Sequence, residues 1–227
     1  LVLQIILGKS GHYVASFIAF DQVDPFNSFA EISIHHAFEL FAALLIILLL
    51  RKLLKLDFYF QLGDKKTGMK SLGFFTLVFL MISIVQHTYM VSRGQLPAYE
   101  FPLDARNILG TLGFQLFLSG PAEEIVFRAL PIVLLTFSFG RSIKIKGNVT
   151  LEVILASILF AFAHIDWSLS PFAFRFSFFP VFYAFVLGTI QGVVFQRTKS
   201  ILYPILMHSF SNVLMVGGGY VFTALFS

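Results

Sequence analysis

The chain alternates between long apolar stretches and short polar connectors. The apolar stretches approach or exceed the roughly 20 residues that an α-helix needs to cross a bilayer. The connectors contain glycine, proline and charged residues, which favour turns, and they lie at 63–66, 93–94, 102, 140–141 and 166–171. We therefore predict six membrane-spanning helices, at 31–50, 71–91, 105–138, 151–165, 177–196 and 201–225.

The segment 105–138 is longer than a bilayer requires and contains Pro121 near its middle. Proline removes a backbone donor and clashes with the preceding turn, so we expect a kink or a restarted helix there. If Pro121 begins a new helix, Glu123 and Glu124 lie in its first turn, where the helix dipole favours anions. A purely structural alternative is that Glu123 caps this helix by reaching back to Gly120.

Composition supports the membrane assignment. Hydrophobic residues make up 57% of the chain and charged residues 12%, and the mean hydropathy is +0.85. These values are typical of an all-α, polytopic membrane helix bundle. The chain has no cysteine, which excludes a thiol nucleophile, disulfides and any cysteine-ligated metal.

The distribution of basic residues predicts the orientation of the chain in the membrane. This topology accounts for the net charge of +4, so the charge gives no reason to infer nucleic-acid binding. The positive-inside rule places the more basic side in the cytoplasm. We therefore predict a multi-pass protein of the cell membrane with cytoplasmic basic loops and external termini. Eleven basic residues fall on the predicted cytoplasmic side (Arg51, Lys52, Lys55, Lys65, Lys66, Lys70, Arg141, Lys144, Lys146, Arg197, Lys199) and four on the other (Lys9, Arg93, Arg106, Arg175).

Three ionisable residues lie close together in the third predicted span. Each costs roughly 2.5–3.5 kcal/mol at the centre of a spanning helix, unless it is paired or required by a site. Glu124 and Arg128 are four residues apart with the acid first, which is the favourable order for an ion pair on one helix face. Glu123 points about 100° away from Glu124. One carboxylate is therefore paired, and the other is left available for chemistry.

Polar residues also interrupt the last predicted spans. Phe160 and His164 are four residues apart, so the ring of Phe160 can brace the imidazole. His208 and Asn212 have the same spacing in the last span. A lone histidine, or a pair that hydrogen-bonds between helices, is often structural. Together with Glu123, these side chains supply a carboxylate, two imidazoles and an amide from three spans, which indicates a site.

Two further patterns accompany these residues. The spacing of Gly188 and Gly192 favours close helix approach, which would help to bring the sixth span toward the third. In the first span, the spacing by four of three residues predicts one polar face near the outer interface, where such side chains can reach water. This cluster resembles a ladder of ligands, and a gating or structural role is favoured over catalysis; it comprises Glu31, His35 and Glu39, with His36 adjacent.

At this point the motifs resemble a known family. Glu-Glu-x-x-x-Arg at 123–128, Phe-x-x-x-His at 160–164 and His-x-x-x-Asn at 208–212, in this order on separate spans, resemble the CPBP family. That family includes type II CAAX prenyl endopeptidases and lysostaphin-resistance-like, abortive-infection and bacteriocin-immunity relatives. Ala129 departs from the family pattern, which usually has glycine after the arginine.

The resemblance implies a division of the chain. A membrane region at 1–104, with spans near 31–50 and 71–91, precedes a CPBP-like catalytic core of four helices at 105–225. The match itself covers roughly 105–215, and the first hundred residues resemble no family.

The resemblance also implies intramembrane hydrolysis of a peptide bond in a membrane-associated protein or peptide, prenylated or not. Glu123 and His164 would then activate water, and His208 and Asn212 would stabilise the oxyanion. Glu124, Arg128 and Phe160 would hold these groups in place.

Three questions stay open at the level of the sequence. No cofactor is favoured, but zinc held by Glu123, His164 and His208 is an alternative to a metal-free mechanism. A catalytically silent immunity or scaffold relative and a proton-coupled transporter are alternative functions. The sequence identifies neither the substrate nor the oligomeric state.

Overall fold

The computed structural model describes residues 2–169 and 172–226, and helices dominate this part of the chain. The helices are α1 (Val2–Ala15), α2 (Ala30–Leu54), α3 (Lys65–Ser92), α4 (Ala105–Phe114), α5 (Gly120–Glu124), α6 (Leu130–Ser138), α7 (Leu151–Phe162), α8 (Phe178–Thr198) and α9 (Leu202–Phe226). The described residues also form two small antiparallel hairpins, which were not predicted. They are β1 (Lys144–Lys146) with β2 (Val149–Thr150), and β3 (Asp166–Leu169) with β4 (Phe172–Arg175).

The fold is the predicted all-α membrane helix bundle. Among the described residues, α3, α8 and α9 are long and apolar enough to cross a bilayer, and α7 is a shorter apolar helix. Large apolar side chains such as Phe74 of α3 point outward, as expected for a surface in contact with lipid. The full count of six spans and their orientation stay predictions.

The third predicted span is one segmented helix. Two π-helical turns, Gln115–Ser119 and Ile125–Ala129, flank α5. The predicted restart at Pro121 is therefore wrong, because Ser119 has helical angles (φ −57°, ψ −59°) and its side chain caps no backbone N–H. A π-helical turn widens the helix, which accommodates a proline ring and its missing donor without a break.

Close helix contacts at two glycines determine how α5 and α8 pack. A Cβ at Gly120 would lie 2.9 Å from the carbonyl oxygen of Ile205, so α5 lies directly against α9. A Cβ at Gly188 would lie 3.3 Å from Ser157 of α7 and from Arg128. The predicted close approach of the fifth span is present, but it brings α8 against α7 and Arg128.

One hydrophobic cluster joins the N-terminal region to the later helices. Ile47 of α2 is buried in the same cluster as Val126, Val153 of α7 and Phe195 of α8. Helix α2 therefore contributes to the core that surrounds α5. The division at residue 104 stays a prediction.

The fourth predicted span is shorter than expected. Helix α7 ends at Phe162, so His164 lies in a turn after the helix rather than within it. The chain then enters the hairpin β3–β4, because the predicted connector at 166–171 is largely extended. Residues 170 and 171 of this connector lie outside the described residues.

Candidate active site

Glu123 lies at the centre of a group of polar side chains from three helices. Its Oε1 accepts a hydrogen bond from Ser119 Oγ at 3.1 Å and lies 3.4 Å from His36 Nε2. Its Oε2 lies 3.8 Å from His208 Nε2. The side chain keeps 20% of its surface accessible, so this carboxylate can be reached by water or by a substrate.

Glu124, the adjacent residue, is fully buried and contacts both His208 and Arg128. Its Oε1 accepts a hydrogen bond from His208 Nδ1 at 2.8 Å, and its Oε2 lies 3.4 Å from Arg128 Nε. The predicted ion pair is therefore present. Because Nδ1 of His208 donates to this carboxylate, the other ring nitrogen is the one that faces Glu123.

Arg128 is fully buried and contacts Gln191 and Phe160 in addition to Glu124. Its Nη2 donates to Gln191 Oε1 at 3.1 Å, and its guanidinium carbon lies 3.9 Å from the centre of the Phe160 ring. Sequence analysis missed Gln191. The glycine-spaced segment of α8 contains two polar side chains, Thr189 and Gln191, and the longer one, Gln191, could have been expected to meet a buried arginine. The arrangement neutralises a charge that the bilayer interior would otherwise make costly.

Asn212 connects to Glu123 through Ser119. The Asn212 side-chain nitrogen donates to Ser119 Oγ at 3.1 Å and to Gln115 Oε1 at 2.8 Å. Sequence analysis did not identify Gln115 or Ser119 as site residues. Their spacing by four, continued by Glu123, is a signal that could have found them, since it places three polar groups on one helix face.

His164 is held at the edge of this group. Its Nδ1 donates to the carbonyl oxygen of Phe160 at 3.0 Å. The centres of the His164 and Phe160 rings are 4.8 Å apart, and the ring planes form an angle of 80°. The side chain is exposed. Within the described part of the chain it makes no hydrogen bond or ion pair with Glu123 or His208, so the structure brings Glu123, His208 and Asn212 together and leaves His164 at the opening.

Helix α2 contributes residues to which the sequence assigned no catalytic role. His36 Nδ1 donates to the carbonyl oxygen of Ile32 at 3.0 Å, which directs Nε2 toward Glu123. His35 and Glu39 lie beside it, with 3.9 Å between His35 Nε2 and Glu39 Oε2. All three are more than nine-tenths buried. The prediction that this face reaches water is therefore wrong for these residues, because α1 and α5 cover it.

A compact set of metal-binding atoms lies on α2. Among the described residues, the side chains whose metal-binding atoms lie within 4.8 Å of one another are His35, His36 and Glu39. Zinc held by Glu123, His164 and His208 stays a prediction.

Comparison with known proteins identifies one family. The family model described as type II CAAX prenyl endopeptidase, Rce1-like, matches residues 105–214. This segment contains all three motifs and runs from α4 into α9. The searches of curated proteins and of solved structures gave no significant match.

Proposed function

We propose that this chain, which belongs to the CPBP family of membrane endopeptidases through its Rce1-like segment, hydrolyses a peptide bond at the membrane with Glu123 as the general base. The observation that carries the proposal is the contrast between the two glutamates. Glu124 is committed to Arg128 and His208, whereas Glu123 is accessible and has a weaker set of contacts. An accessible carboxylate that is held in place is what general base catalysis requires.

Glu123 would take a proton from a water molecule as the water oxygen attacks the carbonyl carbon of the scissile bond. The same carboxylic acid would then give this proton to the amine nitrogen as the C–N bond breaks. Ser119 donates a hydrogen bond to the carboxylate, and His36 lies beside it, which restricts the motion of the carboxylate. Such proton transfer typically contributes 10²–10⁴-fold to the rate.

His164 would help to position the attacking water. Its Nδ1–H is used by the carbonyl oxygen of Phe160, so a neutral ring has an electron pair on Nε2 that can accept a hydrogen bond from water. Its exposed position after α7 leaves it accessible to water and to a substrate. Phe160 fixes this ring and, through the Arg128 contact, joins it to the buried pair.

His208 and Asn212 would stabilise the oxyanion of the tetrahedral intermediate. His208 would donate through Nε2, on the side of Glu123, and this requires the imidazolium form. The two observed side-chain donations of Asn212 go to Gln115 and Ser119. Asn212 would therefore exchange its contact with Gln115 for the oxyanion when substrate binds.

The proposed substrate is the C-terminal region of a membrane-associated protein that carries a prenyl group. The apolar outer surface of the bundle keeps the site at the membrane, where a lipidated peptide is concentrated. We propose a location in the cell membrane with the basic loops in the cytoplasm. Single cysteines at Asp64 and Asp166, in this cysteine-free chain, should then be labelled from opposite sides; labelling of both from one side contradicts the orientation.

The test uses purified full-length protein in lipid vesicles. It should cut a prenylated peptide with a CAAX-type C-terminus at a single bond, seen by mass spectrometry of both products. His164→Ala should lose most of this activity. The matched control is His87→Ala, which removes a buried histidine of α3 and should keep activity. Absence of cleavage of both prenylated and unprenylated membrane peptides contradicts the proposed function.

A further inference from the structure

We propose that His35, His36 and Glu39 of α2 form a binding site for a transition-metal ion of the zinc class. The three residues are buried, and one metal-binding atom from each lies within 4.8 Å of the others. The peptidase mechanism above uses none of them as a reacting group. The site also lies outside the segment that matches the family model.

The orientation of His36 is that of a metal ligand. Its Nδ1 donates to the carbonyl oxygen of Ile32, which places the proton on Nδ1 of a neutral ring and the electron pair on Nε2. A histidine that binds a metal through one ring nitrogen usually donates a hydrogen bond from the N–H of the other ring nitrogen to a carbonyl or carboxylate in this way. The Nε2 atom is thus prepared to bind an ion on the side of α2 that faces Glu123.

The contact between His35 and Glu39 is too long for a hydrogen bond and short enough for two ligands that share an ion. The distance from His35 Nε2 to Glu39 Oε2 is 3.9 Å, and the metal-binding atoms of all three residues lie within 4.8 Å of one another. Hydrogen bonds of this type are usually about 2.7–3.2 Å long. Two ligands bound at about 2.0–2.1 Å to one tetrahedral zinc ion lie roughly 3.4 Å apart.

Two of the three candidate ligands, His35 and Glu39, have few polar partners. His35 Nδ1 is buried without a hydrogen bond. In the part of the chain that the structure describes, Glu39 accepts no hydrogen bond, and its one ion-pair neighbour is His35. A buried carboxylate without a donor is costly, whereas a cation between Glu39 and the two imidazoles would stabilise all three groups.

The ligand types select the class of metal. Imidazole suits zinc, iron, cobalt and nickel ions, whereas magnesium and calcium prefer sets made only of oxygen ligands. Two histidines and one glutamate are also a common zinc ligand set with one open position.

The test measures binding of Zn²⁺ and Co²⁺ to the purified full-length protein after removal of any polyhistidine tag and treatment with a chelator. Zn²⁺ affinity comes from competition with a chromophoric indicator, and Co²⁺ coordination from its visible absorption. We expect one ion per chain. Glu39→Gln and His35→Asn should each weaken binding by about 100-fold or more. Loss of a group that only supports a metal ligand typically weakens metal binding by 10–100-fold, and loss of the ligand itself should weaken it further. His87→Ala is the matched histidine control and should bind as the parent does.

Two further comparisons decide where the ion lies. His164→Ala should bind the ion like the parent, whereas an ion held by Glu123, His164 and His208 would be lost from it. Zinc should also raise the melting temperature of the parent but not that of Glu39→Gln. This measurement compares each protein with and without zinc, so it does not depend on the stability of the variant itself. Absence of stoichiometric binding by the parent, or binding that survives in both ligand variants, overturns the proposal. Because no peptide is cleaved in these measurements, their outcome is independent of the proposed peptidase function.

Discussion

Two neighbouring glutamates occupy opposite environments on the same short helix. Glu124 lies on the side of α5 where Arg128, Gln191 and Phe160 leave no accessible surface, and its contacts are those of a buried ion pair. Glu123 lies on the side with Ser119, His36 and His208, where a fifth of its side chain stays accessible. We therefore propose that the double-glutamate motif divides into a structural half, Glu124, and a reactive half, Glu123.

His208 connects the two halves. One ring nitrogen is 2.8 Å from Glu124 and the other is 3.8 Å from Glu123. The buried pair therefore orients an imidazole that the accessible carboxylate needs. A substitution on the structural side is expected to act on stability first, and a substitution on the reactive side on turnover first.

The largest expected effect separates the halves directly. Glu123→Gln keeps the size of the side chain but removes its ability to accept a proton from water. Cleavage of the prenylated peptide should fall by at least about 100-fold, while the melting temperature stays close to that of the parent. The double variant with His164→Ala and Glu123→Gln should cleave the peptide only slightly more slowly than either single variant, since both residues act on the same water. Full cleavage by purified Glu123→Gln would rule out this carboxylate as the base.

The next effect concerns stability on the buried side. Arg128→Met removes one partner of a buried pair and should cost about 3–5 kcal/mol of unfolding free energy. Adding Glu124→Gln should recover part of this loss, because the charge is removed while an acceptor for His208 Nδ1 remains. Thermal or denaturant unfolding in detergent measures both. If Arg128→Met unfolds like the parent, the ion pair does not stabilise the fold.

A smaller effect is expected at the contact between Ser119 and Glu123. Ser119→Ala removes a donor to the carboxylate and an acceptor for Asn212. A typical hydrogen bond contributes about 0.5–1.5 kcal/mol, so turnover should fall by up to about tenfold, with KM changed little. A loss as large as that of Glu123→Gln would instead place Ser119 in the proton transfer itself.

The smallest effect tests how the start of α2 supports the reactive side. Asp24 precedes α2 and accepts hydrogen bonds from the backbone N–H groups of Phe29 at 2.6 Å and Ala30 at 2.7 Å. Burial alone would raise the pKa of Asp24, but these N–H donors, with that of Ser28, lower it below its usual 3.8. The stabilisation is therefore complete at pH values above 3.8 and is lost as the pH falls through the lower pKa of the folded state.

Asp24→Asn should cost about 0.5–2 kcal/mol at neutral pH, as loss of a capping contact does. The difference in melting temperature between parent and variant should shrink as the pH falls below 3.8. A difference that is constant across this range would show that the charge of Asp24 is not responsible.

Sequence reasoning predicted the features that depend on neighbours along one helix. The ion pair of Glu124 with Arg128 and the contact of Phe160 with His164 both follow from a spacing of four residues. The membrane class followed from composition, because lipid selects apolar surfaces whatever the packing. The wrong expectations, the restart at Pro121 and a water-exposed polar face on α2, concern local backbone adjustment and packing between helices.

The sequence by itself determined that this chain is a helical membrane protein with ionisable groups that need partners, since burial in lipid allows few alternatives. Only the tertiary structure decided which partners these are. It placed His36 and His208 beside Glu123, and Gln191 beside Arg128. Contacts between helices far apart in the chain depend on how their surfaces pack, for example on whether a glycine lets two backbones approach, and spacing within one helix does not contain that information.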